Sequence, residues 1–306
     1  MASIWAEITW VIHLALGFAA LYAAIITAMS FVQTWLLFPT ALASVGQVQL
    51  PASSHLLKVK TPDGETLVGV RIPSADSKGE AAATLLGFAG NAMCADSMAL
   101  TLHCLFPHRD VVVFNYRGYA PSTGTPSAKA VLSDSLMIFD RLQQARASQD
   151  IIAVGFSLGT AIAAYLARHR PVTRLILVTP FDSLEALARE LYWWAPVGPL
   201  LRHRMPTLEF VRGALAPTAV IVADPDKVVP ASRSAPLRRA ISNLFFARTI
   251  DAGHNDLYDH PHFAEAMREA LAAIDAASVE SVGRAPLIRS ESSTPRPGVC
   301  SRDDEG

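Results

Sequence analysis

Cysteine is scarce: the 306 residues hold only Cys94, Cys104 and Cys300, an odd and widely spaced set that forms neither a disulfide framework nor a zinc site of paired close ligands. Positive charge is not in excess either. Lysine and arginine number 26 against 27 acidic residues, and this near-neutral balance leaves no electrostatic footprint for a nucleic acid. No internal repeat is present, which sets aside repeat architectures. Charge is missing altogether between Glu7 and Lys58. Even a long core helix rarely avoids every charge over such a stretch, so the gap points to another solvent.

Ile8 to Phe38 is apolar almost throughout, and the mean hydropathy of the whole chain is raised to +0.29. As a helix rising about 1.5 Å per residue, the stretch exceeds a hydrocarbon layer of about 30 Å. Pro39 ends it, with Trp5 and Trp10 near one end and Trp35 near the other, where indole rings suit the headgroup region. Ala41 and Ala43 imitate a signal-peptidase site, but the apolar run is too long for a signal peptide and Glu7 replaces the basic leader. Residues 1–39 are therefore expected to be a retained, single-pass membrane anchor. No basic residue closely flanks it, so the side of the membrane is not assigned.

After an uncharged linker over residues 40–54, β-branched runs alternate with helical patterns, as in a parallel sheet covered by helices on both faces. Strands are expected at Leu56–Lys60, Thr66–Ile72, Ala83–Phe88, Val111–Asn115, Ile151–Gly155, Arg174–Val178, Ala219–Val222 and Phe245–Ile250. The first two form a hairpin around Thr61-Pro62-Asp63-Gly64-Glu65. Helices are expected at Ala92–His103, Ser127–Ala147, Leu158–His169, Ser183–Trp194, Ala231–Ile241 and Pro261–Ala273. This domain spans residues 55–275. Residues 276–306 are rich in Ser, Pro and Arg without apolar periodicity, the composition of a disordered tail that could engage partners.

Gly155-Phe156-Ser157-Leu158-Gly159 fits G-x-S-x-G between an apolar run and a helical pattern, a context that exposes a serine on a sharp strand-to-helix turn. Serine needs a base, and the base needs an orienting carboxylate. Both follow downstream, Asp226 in Asp224-Pro225-Asp226-Lys227 and His254 in Gly253-His254-Asn255-Asp256. Asp224 competes for the acid, and His260 or His262 for the base. A metal site from His254, Asp256, Asp259, His260 and His262 fits no familiar ligand spacing. For the oxyanion, one donor is expected from the Leu158 amide and a second from Asn91, in the Ala89-Gly90-Asn91-Ala92 loop.

Together with Gly87-Phe88-Ala89-Gly90-Asn91-Ala92, Asn115-Tyr116-Arg117-Gly118-Tyr119 and Asp226-Lys227-Val228-Val229-Pro230, these motifs resemble the α/β-hydrolases over roughly residues 30 to 275. The nearest resemblance is to a membrane-anchored branch of serine aminopeptidase-like and depalmitoylase-like proteins. It implies an α/β-hydrolase fold, a mostly parallel eight-stranded sheet with helices on both faces, preceded by a transmembrane helix. Ala89 replaces that branch's usual histidine, which bears on the oxyanion loop's support and catalytic efficiency more than on the fold, and Ala120 and Ala223 replace usual glycines. Tyr116 and Arg117 are expected to buttress the loop beside the site.

The expected activity is hydrolysis of esters or thioesters through an acyl-enzyme on Ser157, requiring no metal or organic cofactor. A peptidase of the same fold and a catalytically silent membrane scaffold are the alternatives. Expected partners are a small-molecule or acylated substrate and the membrane, with no oligomeric state specified. The aromatic stretch Tyr192-Trp193-Trp194 either lines an acyl pocket or packs on the sheet.

Overall fold

The structure is a computed structural model that describes residues 2–43, 48–75, 83–145 and 150–283. Its strands are β1 (His55–Lys60), β2 (Thr66–Ile72), β3 (Ala83–Phe88), β4 (Asp110–Phe114), β5 (Asp150–Phe156), β6 (Arg174–Val178), β7 (Thr218–Ala223) and β8 (Leu244–Ile250). Its helices are α1 (Ala2–Leu37), α2 (Ala95–Leu105), α3 (Ala128–Ala145), α4 (Leu158–His169), α5 (Leu184–Leu191), α6 (Val197–Leu200), α7 (Thr207–Arg212), α8 (Ala231–Ala240) and α9 (Pro261–Gly283), with a 3-10 turn at Asp256–Asp259.

The strands form one eight-stranded sheet in the order β1-β2-β4-β3-β5-β6-β7-β8. Pairing is antiparallel from β1 through β2 to β4 and parallel thereafter, which makes this an α/β-hydrolase fold. The central strands are buried on both faces and accordingly read as continuous apolar runs. At one edge, β1 keeps Lys58 and Lys60 exposed, which protects an unpaired strand from further pairing. One core lies on the face covered by α3, α4, α7 and α8, and a second lies under α2 and α9.

The strands match expectation to within a residue at each end. The helices differ more. α9 runs to Gly283, past both its expected end and the expected domain boundary at 275, because Ile274 still buries in the second core and Ala277 beyond it is also buried. α5 stops at Leu191 rather than Trp194, ahead of Pro196 and Pro199. α6 and α7 were not expected, being too short to show a period. The expected end of the third helix at Ala147, part of the linker and most of the tail lie outside the described residues.

α1 is apolar, largely exposed, and contains a candidate membrane span over Glu7–Leu37. Its last turns dock on the segment after α6. The Gln33 side chain donates to the Leu200 carbonyl (3.1 Å) and accepts from the Arg202 amide (2.8 Å). His203 is buried, and its Nδ1 accepts from the Ala128 amide at 3.3 Å, so Nε2–H donates to Thr34 Oγ1 at 2.7 Å. Burial, followed by the nearby Arg202 charge, lowers the His203 pKa, in keeping with this neutral tautomer. Phe38, 1% exposed, enters the first core edge-on to His203.

Arg117 joins the hairpin to α3. Its guanidinium pairs bidentately with the buried Asp134, at 2.7 Å in both bonds, and also bonds Asp63 in the β1–β2 turn. These carboxylates raise the Arg117 pKa further, while Arg117 and then Thr61 hold Asp63 down at about 2. Asp134→Ala leaves a buried charge half-partnered and is expected to cost about 3–5 kcal/mol. Asp140→Ala breaks the more exposed pair with Arg170 and is expected to cost less than about 1 kcal/mol. Chemical denaturation of the two variants beside the unchanged protein checks the contrast.

Candidate active site

β5 ends in a turn that places Ser157 at φ 49 and ψ -113, immediately before the first turn of α4. A non-glycine residue occupies this left-handed region at a cost of roughly 1–3 kcal/mol, so surrounding contacts must hold it. The Ser157 amide donates to the Val178 carbonyl of β6 (2.9 Å). The Ser157 carbonyl accepts both from the Thr160 amide (2.9 Å) and from its hydroxyl (2.6 Å). The flanking glycines are required by proximity. A methyl group on Gly155 would stand 2.5 Å from the Gly159 carbonyl oxygen, and one on Gly159 would stand 1.9 Å from the Phe88 carbonyl oxygen of β3.

Asp226 follows β7 and His254 follows β8, both at the carboxyl edge of the sheet where open α/β sheets gather their sites. His254 Nδ1 lies 2.7 Å from Asp226 Oδ2, and its Nε2 lies 2.9 Å from Ser157 Oγ. Because the carboxylate only accepts, Nδ1 carries the proton and Nε2 accepts from the serine hydroxyl. The other Asp226 oxygen accepts from the Val228 and Val229 amides, each at 2.7 Å. Every lone-pair direction of this carboxyl that matters for His254 is thereby set, and its side chain is 1% exposed.

Asp224 is exposed and does not share the His254 contact. His260 and His262 are also away from it, at the start of α9, where their rings lie 5.3 Å apart and His262 pairs with Glu265. No cluster of three or more metal-ligating side chains occurs among the described residues. Cys94 and Cys104 are free thiols, and Cys300 lies outside those residues.

The Leu158 amide belongs to the first turn of α4, whose donors have no partner within the helix. Asn91 sits in the exposed turn after β3, and a methyl on the adjacent Gly90 would stand 3.8 Å from the Ser157 Cβ. Two hydroxyls brace this loop: Tyr116 donates to the Ala89 carbonyl (2.7 Å) and Tyr119 to the Asn91 carbonyl (2.6 Å). Burial pushes both hydroxyls up, so both remain protonated donors. Asn115 Oδ1 accepts from the Ala95 amide at the start of α2. The expected buttress is therefore present, with Tyr119 added to Tyr116, and it supports the loop in which Ala89 replaces histidine.

Two neighbours were not anticipated. Thr179, buried at the end of β6, adopts φ 50. Tyr258 stacks on Phe156, the residue before Ser157, with ring centroids 5.2 Å apart. Burial pushes its hydroxyl up to about 12, with a hydrogen bond to Thr179 opposing the shift and the Asp226 charge adding to it. No motif marks either residue, although Tyr258 stands four positions beyond His254 in the sequence.

Residues 87–197 match the family model of the alpha/beta hydrolase fold. An uncharacterized protein of Mycobacterium tuberculosis is 33% identical over 228 residues, covering 72% of this chain and 80% of its own length. The lysophosphatidylserine lipase ABHD12 of Macaca fascicularis is 29% identical over 190 residues, covering 53% of this chain and 48% of the lipase. The chain thus spans about half of that relative. Among solved structures, the Pyrococcus furiosus esterase Pf2001 superposes with a TM-score of 0.61 at 17% identity, over 74% of this chain and 96% of the esterase. That likeness bears on the fold.

The Gly159 contact separates two substitutions of equal size. Gly159→Ala drives a methyl into the β3 backbone and is expected to lower stability by at least about 3 kcal/mol, whereas Gly90→Ala meets ordinary van der Waals distances and is expected to cost less than about 1 kcal/mol. Thermal unfolding of both variants checks this.

Proposed function

The chain belongs to the α/β-hydrolase fold family, and on that premise we propose that it is a serine hydrolase of carboxylic ester or thioester bonds. The observation that carries the reading is the unbroken relay from Asp226 through His254 to Ser157, at 2.7 and 2.9 Å. In this mechanism Ser157 Oγ attacks the acyl carbon and its proton passes to His254 Nε2, while Asp226 stabilises the resulting imidazolium. The Leu158 and Asn91 amides are assigned to the oxyanion. Collapse of the tetrahedral intermediate breaks the bond to the alcohol or thiol, which leaves with the proton from His254. Water, deprotonated by the same nitrogen, then releases the acid and restores the serine.

An ester with a long acyl chain suits this protein. A groove of about 230 Å³ runs between α1 and the α5–α6 segment, walled by Ile26, Met29, Leu36, Leu184, Leu187 and Leu191. Its lining includes none of Ser157, Asp226 and His254, and the chain that leads to it leaves β6, whose last carbonyl receives the Ser157 amide, six residues before α5. The related lysophosphatidylserine lipase is named for an ester of this general kind. In the same reading α1 is a retained single-pass membrane anchor, since cleavage after Ala43 would strip the buried Phe38 and Ala43 from the first core.

A fluorophosphonate probe is expected to label the purified protein and to fail on Ser157→Ala. Asp226→Asn is expected to slow labelling by roughly 10⁴-fold, by leaving the imidazole in the wrong tautomer. A well-folded parent protein that resists the probe would instead identify a silent scaffold. Tyr119→Phe frees the Asn91 carbonyl and is expected to lower kcat for a short-chain ester by about five- to tenfold with KM little changed, since a neutral hydrogen bond contributes about 1 kcal/mol.

A further inference from the structure

We infer that the hydrolase domain is not held above the bilayer on α1 but is seated in it, with Leu191, Tyr192, Trp193 and Trp194 among the lipid acyl chains. The inference rests on α1 being a membrane span. Glu7 is the last charge before a stretch free of Asp, Glu, Lys and Arg, and a carboxylate within the hydrocarbon is costly, so the span begins at Ile8. A span needs about 20 residues, which carries it to about Thr27. Tyr22 therefore lies inside the hydrocarbon layer.

Tyr22 is also a point of attachment. Its hydroxyl donates to the carbonyl of Trp194 at 2.9 Å, fixing the turn after α5 beside the middle of α1. Whatever depth Tyr22 has in the membrane, this turn shares. Its side chains have the composition for that solvent: Trp193 is 83% exposed, and Leu191, Tyr192 and Trp194 each keep 36–42% of their surface exposed. They do not pack on the sheet.

The headgroup plane can be located from the polar residues of the same interface. Gln33 on α1 meets Leu200 and Arg202, Thr34 meets His203, Ser30 lies one turn earlier, and the Arg202 guanidinium lies 5.6 Å from the Phe31 ring centroid. Arg202 is exposed and forms no ion pair with a carboxylate among the described residues, leaving its charge for a lipid phosphate. From Ile8 to Ser30 an α-helix extends about 33 Å, which a modest tilt fits to a hydrocarbon thickness of about 30 Å. Tyr22 then lies about 12 Å below that plane, measured along the helix. Basic charge at the headgroups and bare aromatics beneath them complement a phospholipid leaflet. The groove between α1 and α5 consequently opens sideways into the acyl chains.

Trp193 reports the depth. The full-length protein and its Trp193→Phe variant would be reconstituted in phosphatidylcholine nanodiscs, with and without lipids brominated at mid-chain carbons. With Trp5 and Trp35 outside the hydrocarbon layer, the bromolipid-quenched emission comes from Trp10, Trp193 and Trp194, so removing Trp193 is expected to reduce it by roughly a third, and the lost component should resist aqueous iodide. If the Trp193 component is quenched by iodide and insensitive to bromolipid while the remaining emission is bromolipid-sensitive, the seating is overturned and the span survives. If no emission responds to bromolipid, the span is overturned and the seating with it. Neither readout depends on catalysis.

Discussion

Ser157 is held in a backbone conformation that an isolated serine would leave, and much of the surrounding architecture serves to keep it there. With φ at 49, its amide is committed to β6 and its carbonyl to Thr160. The turn is tight enough that α4 begins against the end of β3, where only a hydrogen atom at Gly159 fits beside the Phe88 carbonyl. This close approach ties three parallel strands and one helix to a single residue. It also sets the oxygen of Ser157 where residues from β7 and β8 reach it, since the sheet order puts their carboxyl ends along the same edge.

The loop after β3 presents a different problem, because its backbone must keep a shape without a regular partner. Here two tyrosine hydroxyls and one asparagine side chain do what a strand ladder cannot, each bonding a specific backbone group at residues 89 to 95. All three come from the Asn115–Tyr119 segment, which is itself fixed to α3 and to the β1–β2 turn through Arg117. The support runs from a buried ion pair to the loop beside the serine, through rigid and largely buried groups.

How much of this was legible in the sequence depended on whether the signal was local. β5 reads as a continuous apolar run because a parallel strand is buried on both faces, and G-x-S-x-G follows it directly, so both could be read in place. The order of Ser157, Asp226 and His254 was legible too, as each lies just beyond a strand. Tyr258 was not, because its packing against Phe156 is made by the return of the chain and leaves no periodic trace. The length of α9 was obscured for a similar reason: its last buried residues, Ile274 and Ala277, are small in number, and Ile274 faces a core built from distant segments. The short α6 and α7 have too few residues for any period to emerge. Tyr192-Trp193-Trp194 was legible as an apolar stretch, but its surroundings include α1, whose Tyr22 lies 172 residues before Trp194.

That last juxtaposition changes how α1 is understood. A span connected by a flexible linker would leave the orientation of the domain free, and the site would meet the lipid surface at many angles. Here the end of α1 is not a linker: Phe38 is part of the first core, and Gln33 and Thr34 hydrogen-bond to the segment after α6. The apolar groove lies along that same junction, with one wall from α1 and the other from α5, so its mouth has a fixed relation to the helix axis. The junction that holds the end of α1 also forms the apolar groove, whose walls include Leu36 from α1 and Leu184, Leu187 and Leu191 from α5. A substitution that loosens the junction affects both together.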